Sequence, residues 1–145
     1  LMSQRGAAEM VKQGGGGRIL CLSSVHGYRA WPADTAYGIC KAGLKRMVKS
    51  MAVDLAGTGI TANCIAPGYI DNQPSPNGLD EPVPQSLDGR PKLRDFVPSQ
   101  RGGVPSDIAN AALMLCSDLG DYINGETLLV DGGLIACGTP SGDEK

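Results

Sequence analysis

At 145 residues, 41% of them hydrophobic and 19% charged, the chain has the length and apolar content for one packed domain and is too apolar for a disordered one. A net charge of −2 with scattered lysines and arginines leaves no basic stripe for a phosphate backbone, and 4% aromatics leave little surface for base stacking, so nucleic acid is not an expected partner. Five cysteines with no C-x-x-C pair argue against a structural zinc or other metal site and for reduced thiols in a cytoplasmic protein, and no apolar run reaches membrane-spanning length.

In chain order, residues 1–13 carry Ala7, Ala8, Met10 and Val11 among polar positions, a helical pattern. The first residue, Leu1, reads as the later turns of a helix already under way, so further chain is expected upstream. Glycines 14–17 end that helix well. They are a poor phosphate cradle, because a strand follows them and a phosphate loop needs a helix there. Residues 18–23, R-I-L-C-L-S, suit a buried strand covered on both faces.

A long helix is expected over 35–56, with Leu44, Val48, Met51, Ala52 and Leu55 on one apolar face. Thr58-Gly59 breaks it, residues 60–66 form a second buried strand, and Pro67-Gly68 ends that strand. From 68 to 104 the chain reads as a long loop rich in Pro, Gly, Asn and Asp, with a short helical piece at 92–97. Pro105 and Ser106 open a helix, residues 127–130 make a third strand, and Asp131-Gly132-Gly133 turns out of it. The core is expected to end at about 133, with 134–145 as a frayed tail of a single domain. Short apolar strands alternating with helices imply an α/β fold with parallel strands, and three strands make a thin sheet.

Within this frame Tyr37 and Lys41 form Y-x-x-x-K near the start of the long helix, so phenol and ammonium share one helical face. Alone the pair means little, since Tyr and Lys four apart are common on solvated helices. Its context gives it weight. Ser23-Ser24 ends the first strand and Pro67-Gly68 ends the second, and open parallel sheets bind ligands beyond their strand C-terminal ends. A phenol titrates near pH ~10 in water, so a general base near neutral pH needs a positive charge beside it.

The segments L-S-S-V-H-G, Tyr37-x-x-x-Lys41-Ala42-Gly43, N-C-I-A-P-G-Y-I and D-Y-I-N-G-E-T-L-L-V-D-G-G together resemble the short-chain dehydrogenase/reductase family, over residues 1 to about 133. Ser24 lies thirteen positions before Tyr37, the family's usual spacing, so Ser24 rather than Ser23 takes the serine role. The resemblance implies the C-terminal half of a Rossmann-type, doubly wound parallel sheet. It implies catalytic roles for Ser24, Tyr37 and Lys41, with NAD or NADP as cofactor and an alcohol or carbonyl compound as substrate. Tyr37, Lys41, Pro67, Gly68 and Ile70 would meet the nicotinamide end of the cofactor, and Asn72 stands where threonine is frequent.

The opening A-P-G-Y-I is similar to members acting on sugar acids or polyols. A homo-oligomer, dimer or tetramer, is implied through the helix containing Tyr37 and the one before it. Neither the family's glycine-rich turn, G-x-x-x-G-x-G, nor its first two strands occur in these residues, so NAD and NADP cannot be told apart here and the chain alone is expected to be inactive. The alternative is a catalytically silent association or folding module derived from such an enzyme. His26, the single histidine, reads as a loop residue with no acidic or cysteine neighbour, and Tyr28 and Trp31 as shapers of the substrate mouth or of an outer face.

Overall fold

The computed structural model describes residues 2–71 and 97–137, and among these helices and strands alternate. Helix α1 spans Met2–Gln13, strand β1 Gly17–Leu22, helix α2 Thr35–Asp54, strand β2 Ile60–Pro67, helix α3 Pro105–Cys116 and strand β3 Thr127–Val130. Each boundary expected from the sequence falls within two residues of the one observed. Asn72 and all of the helical piece at 92–97 except Val97 lie outside the described residues.

The strands are parallel and ordered β1-β2-β3. Gly17 pairs with Ile60 and Cys21 with Cys64, while Cys64 also pairs with Thr127 and Pro67 with Val130. Parallel registry brings Leu22, Pro67 and Val130 to one end of the sheet, so the segments following all three strands leave together.

The core sits on β2. Ala62 and Cys64, on one face of that strand, are fully buried against Val48 of α2, with Leu44, Met51, Ile19 and Cys21 packed around them. Leu44, Val48 and Met51 stand four and three positions apart, the spacing that presents one helical face to a sheet. Burying a side chain of this class stabilises by about 1.5–3 kcal/mol. Asn63 is only 2% exposed, and its amide donates to the Ile123 carbonyl at 2.7 Å and accepts from the Glu126 amide at 2.9 Å. A buried amide side chain thus fixes the turn that delivers the chain into β3.

Two sequence expectations need correction. Residues of β1 were expected to be covered on both faces, yet none of Gly17–Leu22 is fully buried and Leu22 is 54% exposed. The reason is position: β1 is the edge of the sheet in the described residues. The packed core also runs past 133, because Leu134 is buried with Val25 and Val97. Asp131 makes this possible, its two carboxylate oxygens accepting from the Gly133 and Ile135 amides at 2.9 Å each. The turn is thereby closed over the end of β3.

Candidate active site

Ser23 and Ser24 follow β1 directly and have different tasks. The Ser23 hydroxyl donates to the Lys41 carbonyl at 2.7 Å and so ties the end of the strand to α2. Ser24 caps the single 3-10 turn Val25–Gly27, its Oγ accepting from the His26 amide at 3.3 Å. That turn lies so close to α2 that a Cβ on Gly27 would stand 2.9 Å from the Lys41 carbonyl carbon, so only glycine fits. A side chain there would push Ser24 away from the helix carrying Tyr37.

Helix α2 begins beside this turn. Asp34 occupies its N-cap position but makes no side-chain capping bond. Its carboxylate instead accepts from His26 Nδ1 at 2.9 Å and from the Trp31 amide at 3.2 Å, forgoing a cap worth roughly 1 kcal/mol. The residue before it, Ala33, sits at φ +61, a left-handed conformation uncommon for a side chain with a Cβ. His26 stacks on Trp31 with ring centroids 4.4 Å apart and meets Tyr37 edge to face at 5.3 Å.

Beyond the strand ends lies a cavity of about 270 Å³ whose walls include Ser24, His26, Trp31, Tyr37, Gly68 and Ile70. Ser24 is 7% exposed and Tyr37 49%, so a sheltered serine shares the cavity with a tyrosine that solvent or a ligand can reach. Lys41 lies one turn further along α2. Its Nζ donates to the Leu22 carbonyl at 2.9 Å and stands 5.3 Å from the centre of the Tyr37 ring. An ammonium has three protons, so that bond leaves donors for a ligand.

The opposite wall is held by the loop after β2. Ile70 bridges to Gly103, with the Asp71 amide donating to the Gly103 carbonyl at 2.8 Å and the Gly103 amide to the Tyr69 carbonyl at 2.9 Å. None of the hydrogen bonds among the described residues uses the backbone N–H or C=O of Ile70. Gly68 is pressed against the end of β3, where a Cβ would come within 2.7 Å of Asp131. A second cavity, about 340 Å³, continues past Tyr69 and Ile70 to Arg101, Asp107 and Asp131.

Of the residues singled out in the sequence, the structure brings Ser24, Tyr37, Gly68 and Ile70 to one cavity, with Lys41 behind Tyr37. Pro67 ends β2 next to Gly68 but is not part of the cavity wall, and Asn72 lies outside the described residues. Trp31 lines the cavity. Tyr28 does not: its phenol donates to the Thr127 carbonyl at 3.3 Å, and Lys45 Nζ rests 3.0 Å from its ring centre. Sequence reasoning missed the His26–Asp34 pair. An Asp just before a helix reads as a cap, and only the folded loop 27–33 shows that its carboxylate turns the other way.

Four similarities to known proteins bear on this arrangement. A family model described as enoyl-(acyl carrier protein) reductase matches residues 1–135. The uncharacterised oxidoreductase YohF of Escherichia coli strain K12 is 38% identical over 135 residues, which are 93% of this chain and 51% of that protein. The crystal structure of acetoin dehydrogenase from Enterobacter cloacae superposes with a TM-score of 0.79 at 33% identity, covering 98% of this chain and 52% of that one. A protein provisionally described as 2-deoxy-D-gluconate 3-dehydrogenase, from Agrobacterium tumefaciens and with NADP bound, gives a TM-score of 0.76 at 29% identity over 93% of this chain and 53% of its own. The chain spans about half the length of the curated relatives it matches.

Proposed function

The chain belongs to the short-chain dehydrogenase/reductase family, a family of oxidoreductases, and on that footing we propose that it is the catalytic half of an NAD(P)-dependent enzyme that interconverts a secondary alcohol and a carbonyl compound. The observation that carries the reading is the convergence of a buried serine and a half-exposed tyrosine, with a lysine one turn behind, on one cavity beyond the ends of parallel strands. Nicotinamide supplies the hydride acceptor or donor when bound.

The donor set suits the nicotinamide end of such a cofactor. Lys41 has protons to spare for ribose hydroxyls, and the backbone of Ile70 offers an N–H and a C=O for a carboxamide. Tyr37 takes the proton of the alcohol at its phenolic oxygen, or returns one to the carbonyl. Lys41 favours the phenolate by its positive charge. Ser24, held by its role as cap of the 3-10 turn, donates its hydroxyl to the reacting oxygen. Cofactor preference between NAD and NADP is not encoded in these residues.

These 145 residues alone are proposed not to turn over, because the glycine-rich half that cradles adenosine and pyrophosphate is absent from the sequence. Pairing of subunits, as dimer or tetramer, is proposed through α1 and α2, where Ala7, Ala8, Val11, Met47 and Met51 line an apolar groove. No helix among the described residues is long and apolar enough to cross a membrane, and a cytoplasmic location is proposed from the free thiols.

The test is Tyr37→Phe and Lys41→Ala in this chain joined to a dinucleotide-binding half. Tyr37→Phe should lower turnover by more than about a hundredfold while leaving nicotinamide binding intact, since only the phenolic oxygen is lost. Lys41→Ala should lower turnover and weaken nicotinamide binding together. Turnover of Tyr37→Phe within about tenfold of the parent would remove Tyr37 as the acid/base.

A further inference from the structure

We propose that His26 is a substrate-positioning residue that selects alcohols carrying a second hydroxyl on the neighbouring carbon, and the corresponding hydroxycarbonyl compounds. This rests on the oxidoreductase reading of the cavity above and assigns a part of it which that reading leaves unused. The ring lines the same cavity as Ser24 and Tyr37 and touches the edge of the Tyr37 ring, so a substrate held between those two hydroxyls has His26 as a neighbour.

The orientation of His26 is set on three sides. Asp34 accepts from Nδ1 at 2.9 Å, Trp31 stacks on the ring at 4.4 Å, and Tyr37 meets it at 86°. A carboxylate only accepts, so the proton is on Nδ1. In the neutral imidazole this makes Nε2 an acceptor, and no hydrogen bond among the described residues occupies it. An acceptor in a cavity asks for a donor on the ligand. An alcohol has one hydroxyl, and in this site that hydroxyl belongs to Ser24 and Tyr37. On an alcohol held in this way, a further hydroxyl close to the reacting carbon is the group placed to donate to Nε2.

The cost of the arrangement supports a purpose. Asp34 stands at an N-cap yet its carboxylate holds the ring rather than capping the helix, and Ala33 beside it is in the left-handed region. A histidine serving only as packing would need neither. The same carboxylate binds the Trp31 amide, so the indole that backs the imidazole is fixed by the same anchor.

The test compares butane-2,3-diol with butan-2-ol in the active protein that carries this chain. His26→Asn keeps a donor to Asp34 but removes the Nε2 acceptor, whereas His26→Gln places an amide oxygen near the Nε2 position. The ratio of kcat/KM for the diol over the mono-alcohol should fall about tenfold in His26→Asn, as for one lost hydrogen bond, and recover in part in His26→Gln. A ratio that stays within about twofold, whether both substrates fall together or neither does, overturns the assignment. His26 is the one histidine of these 145 residues, and its ring nitrogen-15 signals in the active protein are assigned by their loss in His26→Asn. They should report a proton on Nδ1 and a shift of Nε2 with the diol that butan-2-ol does not cause; a proton on Nε2 instead, or equal shifts with both alcohols, overturns it as well. Should neither alcohol be turned over by the parent protein, the oxidoreductase reading is decided separately by the Tyr37→Phe test, and the ring signals decide for or against His26.

Discussion

Strands β1 and β2 lie side by side in register and have similar apolar content, but their surroundings differ. Every residue of β2 except Pro67 is buried, while β1 is partly covered along its length and ends in an exposed Leu22. The contrast separates two sources of burial. Sequence supplies apolar side chains to both strands, but only a neighbour on each edge and a helix on each face turn them into a core. β2 has β1 and β3 on its two sides; β1 has a partner on one side only among the described residues. The site depends on both strands, since Ser24 follows β1 and Gly68 follows β2.

The largest expected effect is on the buried side of this comparison. Asn63→Ala removes both bonds to the turn before β3 and leaves the Glu126 amide and the Ile123 carbonyl without their partner. A loss of about 2–4 kcal/mol is expected in denaturant melts, from two net bonds and the desolvated groups left behind. A loss below about 1 kcal/mol would show that β2 is held by its apolar residues alone.

On the exposed side, the effect should be on association more than on stability. Among the described residues β1 has no strand on its outer edge, and backbone groups beside Ile19 and Leu20 are there a template for another strand. The purified 145-residue chain should self-associate in sedimentation velocity, and Leu22→Lys should reduce association while costing less than about 0.5 kcal/mol, as exposed substitutions do. A clean monomer with a sharp cooperative melt would mean that the edge is harmless and that β1 needs no further partner.

A comparably small effect, and one that depends on pH, is expected just before α3. Arg101 donates to Asp107 at 2.7 and 3.0 Å, and Asp107 in turn accepts from the Val104 amide at 2.9 Å. The Arg101 guanidinium, followed by the Val104 amide, holds the Asp107 carboxyl below the usual carboxylate range. A carboxyl lowered on folding stabilises fully above its ordinary pKa of about 4, and that contribution disappears as pH falls through the folded value. Arg101→Ala should therefore cost about 0.2–1 kcal/mol at neutral pH, because the guanidinium is half exposed, and next to nothing in strong acid. Equal losses at both pH values would mean that packing, not charge, explains the effect.

The elements were legible in the sequence because local signals agreed with tertiary ones. Four glycines stop α1, Pro105 starts α3, and the apolar positions of α2 repeat at helical spacing. The residues proposed as catalytic could be singled out for another reason: a serine at a strand end and a tyrosine–lysine pair on the next helix are short-range patterns, and the parallel strands place them around one cavity. What stayed hidden depends on contacts across loops. Leu134 reads as a tail residue until Asp131 folds the turn back onto Val25 and Val97. His26 reads as a loop residue with no acidic neighbour until the loop brings Asp34 beside it. Cys21 and Cys64 read as small hydrophobes in separate strands. In the sheet they are register partners on neighbouring strands, and burial pushes the Cys64 thiol up.

The central claim is that hydride leaves a carbinol carbon for nicotinamide while Tyr37 handles the proton. Following deuterium tests it most directly. With this chain joined to a dinucleotide-binding half, a secondary alcohol deuterated at its carbinol carbon should yield reduced cofactor carrying one deuterium, read by mass spectrometry, and Tyr37→Phe should yield almost none in the same time. Reduced cofactor without the label, or label transfer by Tyr37→Phe at the parent's rate, would contradict the account.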